Sequence, residues 1–402
     1  MSAGAARALR RIRPLRHLVA LTLAIVAIRL VPCWWCSRVA PSWFRGDPDL
    51  QDSLARGVVR WIESDLGRQS FSTGNRKFDG EWLFGSQMMA GLGLAQIALA
   101  RPERRAALLP AVQRCVERMI STRLRAFDRE AWGNDPLQTL GIDRGADHAA
   151  YLGYLNLLLG LERELAPRGP HAALHDRVSR ALASRLRRSP IGLLQSYPGE
   201  VYPVDNCAAA ASIGLHARVS GTGEGEAAGL LARWERRLRE RYLQRGTGLL
   251  VQRVHAERGS SLDAPRGSGT ALCAYFTAFA LPGLSRDLHR AVRRHLAGGL
   301  LGFGMVREYP AGHGGAGDID SGPVILGYGV SATGFALGPA RIHGDDALFS
   351  GLLSTAVLFG APLDRGDAGL EFVSGGPLGN AILLAMLTAR PLESARPPGE
   401  PR

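Results

Sequence analysis

The chain has 402 residues, of which 46% are hydrophobic and 21% charged, enough apolar material for a large core and too much for a disordered polymer. The formal net charge of +13 rests almost wholly on arginine, Lys77 being the only lysine. The arginines are dispersed rather than arrayed in a stripe with aromatics, which argues against a nucleic-acid partner.

Five arginines (Arg7, Arg10, Arg11, Arg13 and Arg16) precede the apolar run Leu18–Ile28, which resumes after Arg29 and ends at the pair Trp34-Trp35. Basic flank, apolar stretch and interfacial tryptophans describe a start-of-translocation segment with its N-terminus in the cytoplasm. Val31-Pro32-Cys33 is a poor cleavage or acylation site, so the expectation is an uncleaved transmembrane signal anchor within residues 1–39 of a cell-membrane protein whose main domain is extracytoplasmic. A linker over 40–49, a single domain over 50–394 and a disordered, Pro-rich tail over 395–402 complete the expected layout. The five cysteines do not form a disulfide framework, and Cys33-x-x-Cys36 at the membrane exit lacks the context of a redox motif.

Along the domain, amphipathic segments with a charged face are expected over Leu50–Leu66, Arg105–Ser121, Leu174–Leu186, Ala227–Leu243, Ser285–Leu296 and Asp345–Leu358. Each is followed by a polar or glycine-rich lead-in and then an apolar, Gly/Ala-rich helix. These helices are expected over Leu83–Ala100, Ala149–Leu161, Cys207–Val219, Gly269–Leu281, Val324–Ile342 and Leu378–Leu387. A helix apolar all round needs contact on every side, whereas an amphipathic one needs a wet face. Six such alternations predict an all-α fold, an inner ring of helices wrapped by an outer ring: an (α/α)6 toroid of six hairpins.

If the inner helices run parallel, their N-terminal lead-ins converge at one mouth. The densest lead-in is Arg307–Pro323, with Glu308, Tyr309, His313, Asp318 and Asp320 in a glycine-rich loop. A second, Tyr197–Cys207, repeats the plan with Tyr202, Asp205 and Asn206. Asp147-His148, Glu81-Trp82 and Arg266-Gly267-Ser268 are weaker instances. Asp205, Asp320 and Ser321 can each equally be read as helix caps, His148 as a histidine satisfied at a helix start, Cys207 as a small core residue, and Trp82, Tyr202 and Tyr309 either as a floor for a sugar ring or isoprenoid chain or as core. No zinc-ligand spacing, phosphate loop or dinucleotide fingerprint occurs, so no metal or cofactor is expected.

In plan, residues 50–390 resemble the six-hairpin superfamily of (α/α)6 toroids, which includes many glycoside hydrolases and polysaccharide lyases and the linalool dehydratase/isomerase-like proteins. The hydrolase resemblance implies acids at inner-helix starts as general acid and base, here Asp205 and Asp320 with Glu308 or Asp318 in support. Tyr202, Tyr309, Trp82, His148, Asp147, Asn206, Arg266 and His313 would then hold a carbohydrate. The isomerase-like resemblance implies instead an apolar pocket for a small alcohol, worked by Tyr202, Cys207 and His148. A non-catalytic ring that binds an envelope polymer or a protein is the third reading.

Overall fold

The computed structural model describes residues 3–142 and 144–390, the side chains of 3–16 and 28–30 excepted. The tail expected over 395–402 and the arginine side chains before Leu18 lie outside this range. The first helix, α1 (Ala3–Ser37), carries exposed apolar side chains from Leu18 to Val26. By length and composition the segment His17–Arg45 could cross a membrane, and none of its apolar window is buried. The expected linker over 40–49 is instead a short packed helix, α2 (Ala40–Arg45), with Ala40 and Trp43 buried. Asp47 then accepts hydrogen bonds from the N–H groups of Asp49 and Leu50 and caps the next helix.

Six helical hairpins follow. The outer members are α3 (Pro48–Glu63), α5 (Arg105–Met119), α8 (Ala172–Arg188), α10 (Glu224–Arg241), α12 (Pro282–His295) and α14 (Asp346–Gly360). The inner members are α4 (Arg76–Ala100), α7 (Ala149–Leu165), α9 (Pro203–Ser220), α11 (Gly267–Thr277), α13 (Val330–Ile342) and α15 (Gly376–Leu387); a short α6 (Ala126–Trp132) interrupts the connection from α5 to α7. Each inner helix packs on the next in chain order, and α15 packs back on α4, so the ring closes. Small residues permit this approach. A Cβ on Gly93 of α4 would stand 2.6 Å from Leu384 Cγ, and one on Gly153 of α7 would stand 3.1 Å from the Ala209 nitrogen. At the seam, Gln96 Nε2 donates to the Ala385 carbonyl at 2.9 Å. Cys207 of α9 and Cys273 of α11 form a disulfide (Cα–Cα 5.5 Å). That pairing corrects the reading of Cys207 as an unpaired small core residue, since connectivity is not written in spacing alone.

The connections from outer to inner helices carry four two-stranded antiparallel pairings: β1 (Glu200–Val201) with β2 (Val254–His255), β3 (Ala297–Leu300) with β4 (Phe303–Val306), β5 (Val324–Ile325) with β6 (Tyr328–Gly329), and β7 (Pro362–Asp364) with β8 (Leu370–Phe372). The fifth inner helix therefore begins at Val330 rather than Val324. The apolar run Val324–Val330 turns back on itself at Leu326-Gly327, where both residues have positive φ (51° and 82°). Pro323 accordingly precedes a strand, and Asp320 and Ser321 cap no helix.

A recurring polar clamp fixes four inner helices to the segments that precede them. Asn206 accepts from the Leu194 N–H (2.6 Å) and donates to the carbonyls of Leu194 and Tyr202. Asn380 repeats this with Phe372 (2.8 Å) and Gly376. Thr270 accepts from Leu250 N–H and donates to the Arg266 carbonyl; Thr333 does the same with Val306 and Gly329. In each case a side chain in the first turns of the helix supplies what a neighbouring strand would otherwise have supplied.

Candidate active site

The outer helices return the chain to the same end each time, so the inner helices are parallel and their N-termini share one mouth. Three carboxylates meet there from separate elements: Glu81 in the second turn of α4, Asp205 in the first turn of α9, and Asp320 in the loop between β4 and β5.

Glu81 accepts a hydrogen bond from the Tyr197 hydroxyl at 2.8 Å. Its carboxyl is held well above the usual range by loss of hydration, then by the charges of Asp320 and Asp205, against the opposing pull of Tyr197 and Lys77. Asp205 is buried and accepts from the Tyr154 hydroxyl (2.5 Å) and from the Ser196 hydroxyl. Burial raises its pKa, and the two hydroxyls and Lys77 pull it back. Asp320 keeps contact with solvent yet is hemmed in by protein. Its pKa is pushed up to about 6, first by that desolvation and next by Asp318 and Asp205, while the Trp82 indole N–H, 3.5 Å from Oδ1, opposes the rise. Asp320 near 6 and Glu81 raised by burial and like charge, beside a third acid held by hydroxyl donors, can divide acid and base duties.

Lys77 completes the mouth. Its ammonium lies 3.7 Å from the centroid of the Tyr197 ring and 3.9 Å from Glu200. The Tyr202 hydroxyl donates to Glu200 as well (3.3 Å), which puts Tyr202 on the rim.

The other candidates fall into place around this centre. Glu308 is fully buried below the mouth; Oε1 accepts from Ser268 (2.6 Å), and Oε2 has no hydrogen-bond partner among the described residues. Burial pushes its pKa up to about 7, but no solvent path reaches it, so it is not a group that meets a substrate. Asp318 pairs with Arg266 and accepts from the Ser321 N–H, which makes these residues braces of the loop bearing Asp320. Tyr309 donates to the Ala316 carbonyl and lies under the Arg266 guanidinium, 5.2 Å from ring centroid to Cζ. His313 is exposed in the wall of a neighbouring cavity of about 560 Å³, with Tyr309 and Arg307.

Four expectations are corrected. Asn206 is spent on its backbone clamp. His148 is buried with φ +51°, its ring bonded to Asp128 (2.6 Å) and Asn134 (2.8 Å), so it orders the connection before α7 rather than touching ligand. Asp147 accepts from the Gln195 N–H (2.9 Å) and likewise ties two loops together. Cys207, being in a disulfide, offers no thiol, which removes one of the groups named for an isomerase-like reaction. Glu81 is the site residue undervalued in the sequence. The lead-in Glu81-Trp82 was visible, but α4 starts at Arg76 rather than Leu83, so the acid lies inside the helix and not ahead of it.

No family model matches the chain, and no curated protein does. Among solved structures, the GH76A alpha-1,6-mannanase from Salegentibacter sp. HEL1_6 superposes with a TM-score of 0.50 at 13% identity, over 86% of this chain and 98% of that one. A GH76 alpha-mannanase of Bacteroides thetaiotaomicron follows with a TM-score of 0.47 at 9% identity, over 87% and 97%. The fold is thus the helical (α/α)6 toroid that the GH76 glycoside hydrolases also have.

Proposed function

We propose that the chain is a glycoside hydrolase that works with Glu81 as general acid and Asp320 as general base, Asp205 fixing the floor between them. The observation that carries this reading is the meeting of three mutually repelling carboxylates from three elements at one mouth. Glu81, whose carboxyl is raised by burial and by the charges of Asp320 and Asp205, is the proton donor, delivering its proton to the glycosidic oxygen as the C–O bond breaks. Asp320, ionised above about pH 6, takes a proton from the water that attacks the anomeric carbon. Trp82 and Tyr202 offer faces and hydroxyls of the kind a pyranose ring uses. An α-linked mannan is the first substrate to try, because the superposed toroid acts on one; a lyase acting on acidic polysaccharide is the variant of this reading.

The site would stand outside the cytoplasm. The exposed apolar stretch of α1, the basic residues before it and the Cys207–Cys273 disulfide, a bond that persists in oxidising compartments, all support that placement.

The test is turnover of α-1,6-linked manno-oligosaccharides by the full-length protein and by Glu81→Gln and Asp320→Asn. Loss of turnover in both is expected. Retention within a few-fold in both would sink the assignment and favour a toroid that binds without cleaving.

A further inference from the structure

The outer ring is chemically uneven. Five of its helices carry several charges each, whereas α14 has none after Asp346. This is the helix on which α1 and α2 pack, with Phe44 edge-on to Phe349 at 5.3 Å. Past that contact its apolar surface is left open: Leu358 and Phe359 are exposed, Phe359 to 66%. They stand at the mouth end, since Ser374, just before the inner helix α15, donates its hydroxyl to the Phe359 carbonyl at 2.6 Å.

Two further apolar tips occur on the same side. The β3–β4 turn exposes Leu300 and Leu301, the latter at φ +54°. This turn touches α1, where a Cβ on Gly302 would stand 2.7 Å from Cys33 Sγ, immediately before the exposed Trp34 and Trp35. Beside it, the β5–β6 turn that follows the Asp320 loop exposes Ile325 and, to 79%, Leu326. Leucines and isoleucines at the tips of short hairpins that leave about half or more of their surface to water cost solvation free energy that a partner surface would recover.

We propose that these tips and the end of α14 form a bilayer-docking rim, seated in the membrane that α1 enters, so that the carboxylate mouth lies at headgroup level and takes glycans attached to a lipid. Continuity decides the occupant. The rim adjoins the Trp34-Trp35 pair, and tryptophan settles at the boundary between headgroups and acyl chains, so a surface at the same depth meets lipid. The proposal rests on α1 as an anchor and on the glycosidase reading, and the measurements separate the three.

Docking is read by fluorescence of full-length protein in nanodiscs containing brominated phosphatidylcholine. The indoles added in Leu326→Trp and, separately, Phe359→Trp should be quenched as strongly as that of Trp34, whose share is obtained from Trp34→Phe. A quenched Trp34 with both added indoles unquenched overturns the docking. An unquenched Trp34 removes α1 from the bilayer, and the proposal falls with it. Substrate class is read in the same nanodiscs with one α-1,6-linked manno-oligosaccharide, free or coupled to diacylglycerol. A kcat/KM at least tenfold higher for the coupled form, lost in Leu326→Glu/Phe359→Glu while cleavage of the free sugar stays unchanged, is the expected result. Equal rates on both forms overturn the lipid-linked substrate. Absence of turnover on either form refutes the glycosidase reading and the substrate class together, while quenching still decides the docking.

Discussion

Asp205 and Asn206 are neighbours on α9 with opposite lives. Asn206 spends its amide on two backbone carbonyls and one N–H and is satisfied. Asp205, though it accepts two hydroxyl bonds, is kept away from its preferred ionisation by burial. The same split runs round the ring: Asn206, Thr270, Thr333 and Asn380 clamp the helices, while Glu81, Asp320 and Asp205 are held together against their mutual repulsion. Satisfied polar groups stabilise a fold, and strained ones are what a reaction can draw on. Substitutions should therefore sort cleanly, the mouth costing turnover and the clamps costing stability.

The largest effect expected is on turnover. Glu81→Gln and Asp320→Asn should each lower kcat by about 10²- to 10⁴-fold, measured with the oligosaccharide assay, and neither should lower the melting temperature at pH 7. Asp320→Asn should also abolish the rise of kcat/KM with pH through about 6 that ionisation of Asp320 produces. A stability loss in these variants would collapse the distinction between mouth and clamp.

Next comes the disulfide. Cys207→Ala/Cys273→Ala opens a loop spanning 66 residues and should cost about 4 kcal/mol in denaturant unfolding, on a chain-entropy account. A loss below about 1 kcal/mol would show that residual structure already restrains the same segment in the unfolded chain.

Glu308 lies between the two classes, buried like a clamp and raised like a mouth acid. Its folded-state pKa of about 7 exceeds the ordinary value of 4.5, so the unfolded chain releases this proton first as pH rises. The stabilisation is full below about pH 4.5 and is lost progressively up to about pH 7, on the order of 3 kcal/mol in all. Glu308→Gln should flatten that part of the stability-against-pH curve and leave the protein more stable than wild type at pH 8. An unchanged slope would mean that Ser268 and Arg266 hold the carboxylate in its ionised form after all.

The smallest effect belongs to a single clamp. Asn380→Ala, which strands the Phe372 N–H and two carbonyls, should cost about 1–3 kcal/mol by thermal unfolding and leave kcat within twofold. A large loss of kcat would tie the clamp to the geometry of the mouth.

How much of this was legible beforehand differs from element to element. Five of the six outer helices were readable because one charged face recurs at helical spacing, as in α3, α8 and α12; α14 lacks the charged face expected over Asp345–Leu358. Inner helices were readable as apolar runs, and α7 does start at Ala149 as expected, but the starts of α4, α9 and α13 were not readable, since burial all round erases periodicity. That is why α4 began earlier than expected, hiding Glu81, and why the Leu326-Gly327 turn went unread within the apolar stretch before α13. Asp205 and Asp320 were identifiable from their lead-ins, and the structure gathers both at the mouth. The adjoining Asn206, Asp147 and His148 carry equally suggestive side chains, and only their backbone partners show that these are committed elsewhere. The helical character of Ala40–Arg45 was too short to show a period.

The seam between α4 and α15 carries a kinetic consequence. A ribosome releases α4 early, yet its partners Ala385 and Thr388 lie near the end of the described chain. The first inner helix must therefore wait, with one apolar flank unpartnered, for almost the entire domain to be synthesised. Truncation a few residues before Leu384 would leave a ring that has all but one of its walls and cannot shut.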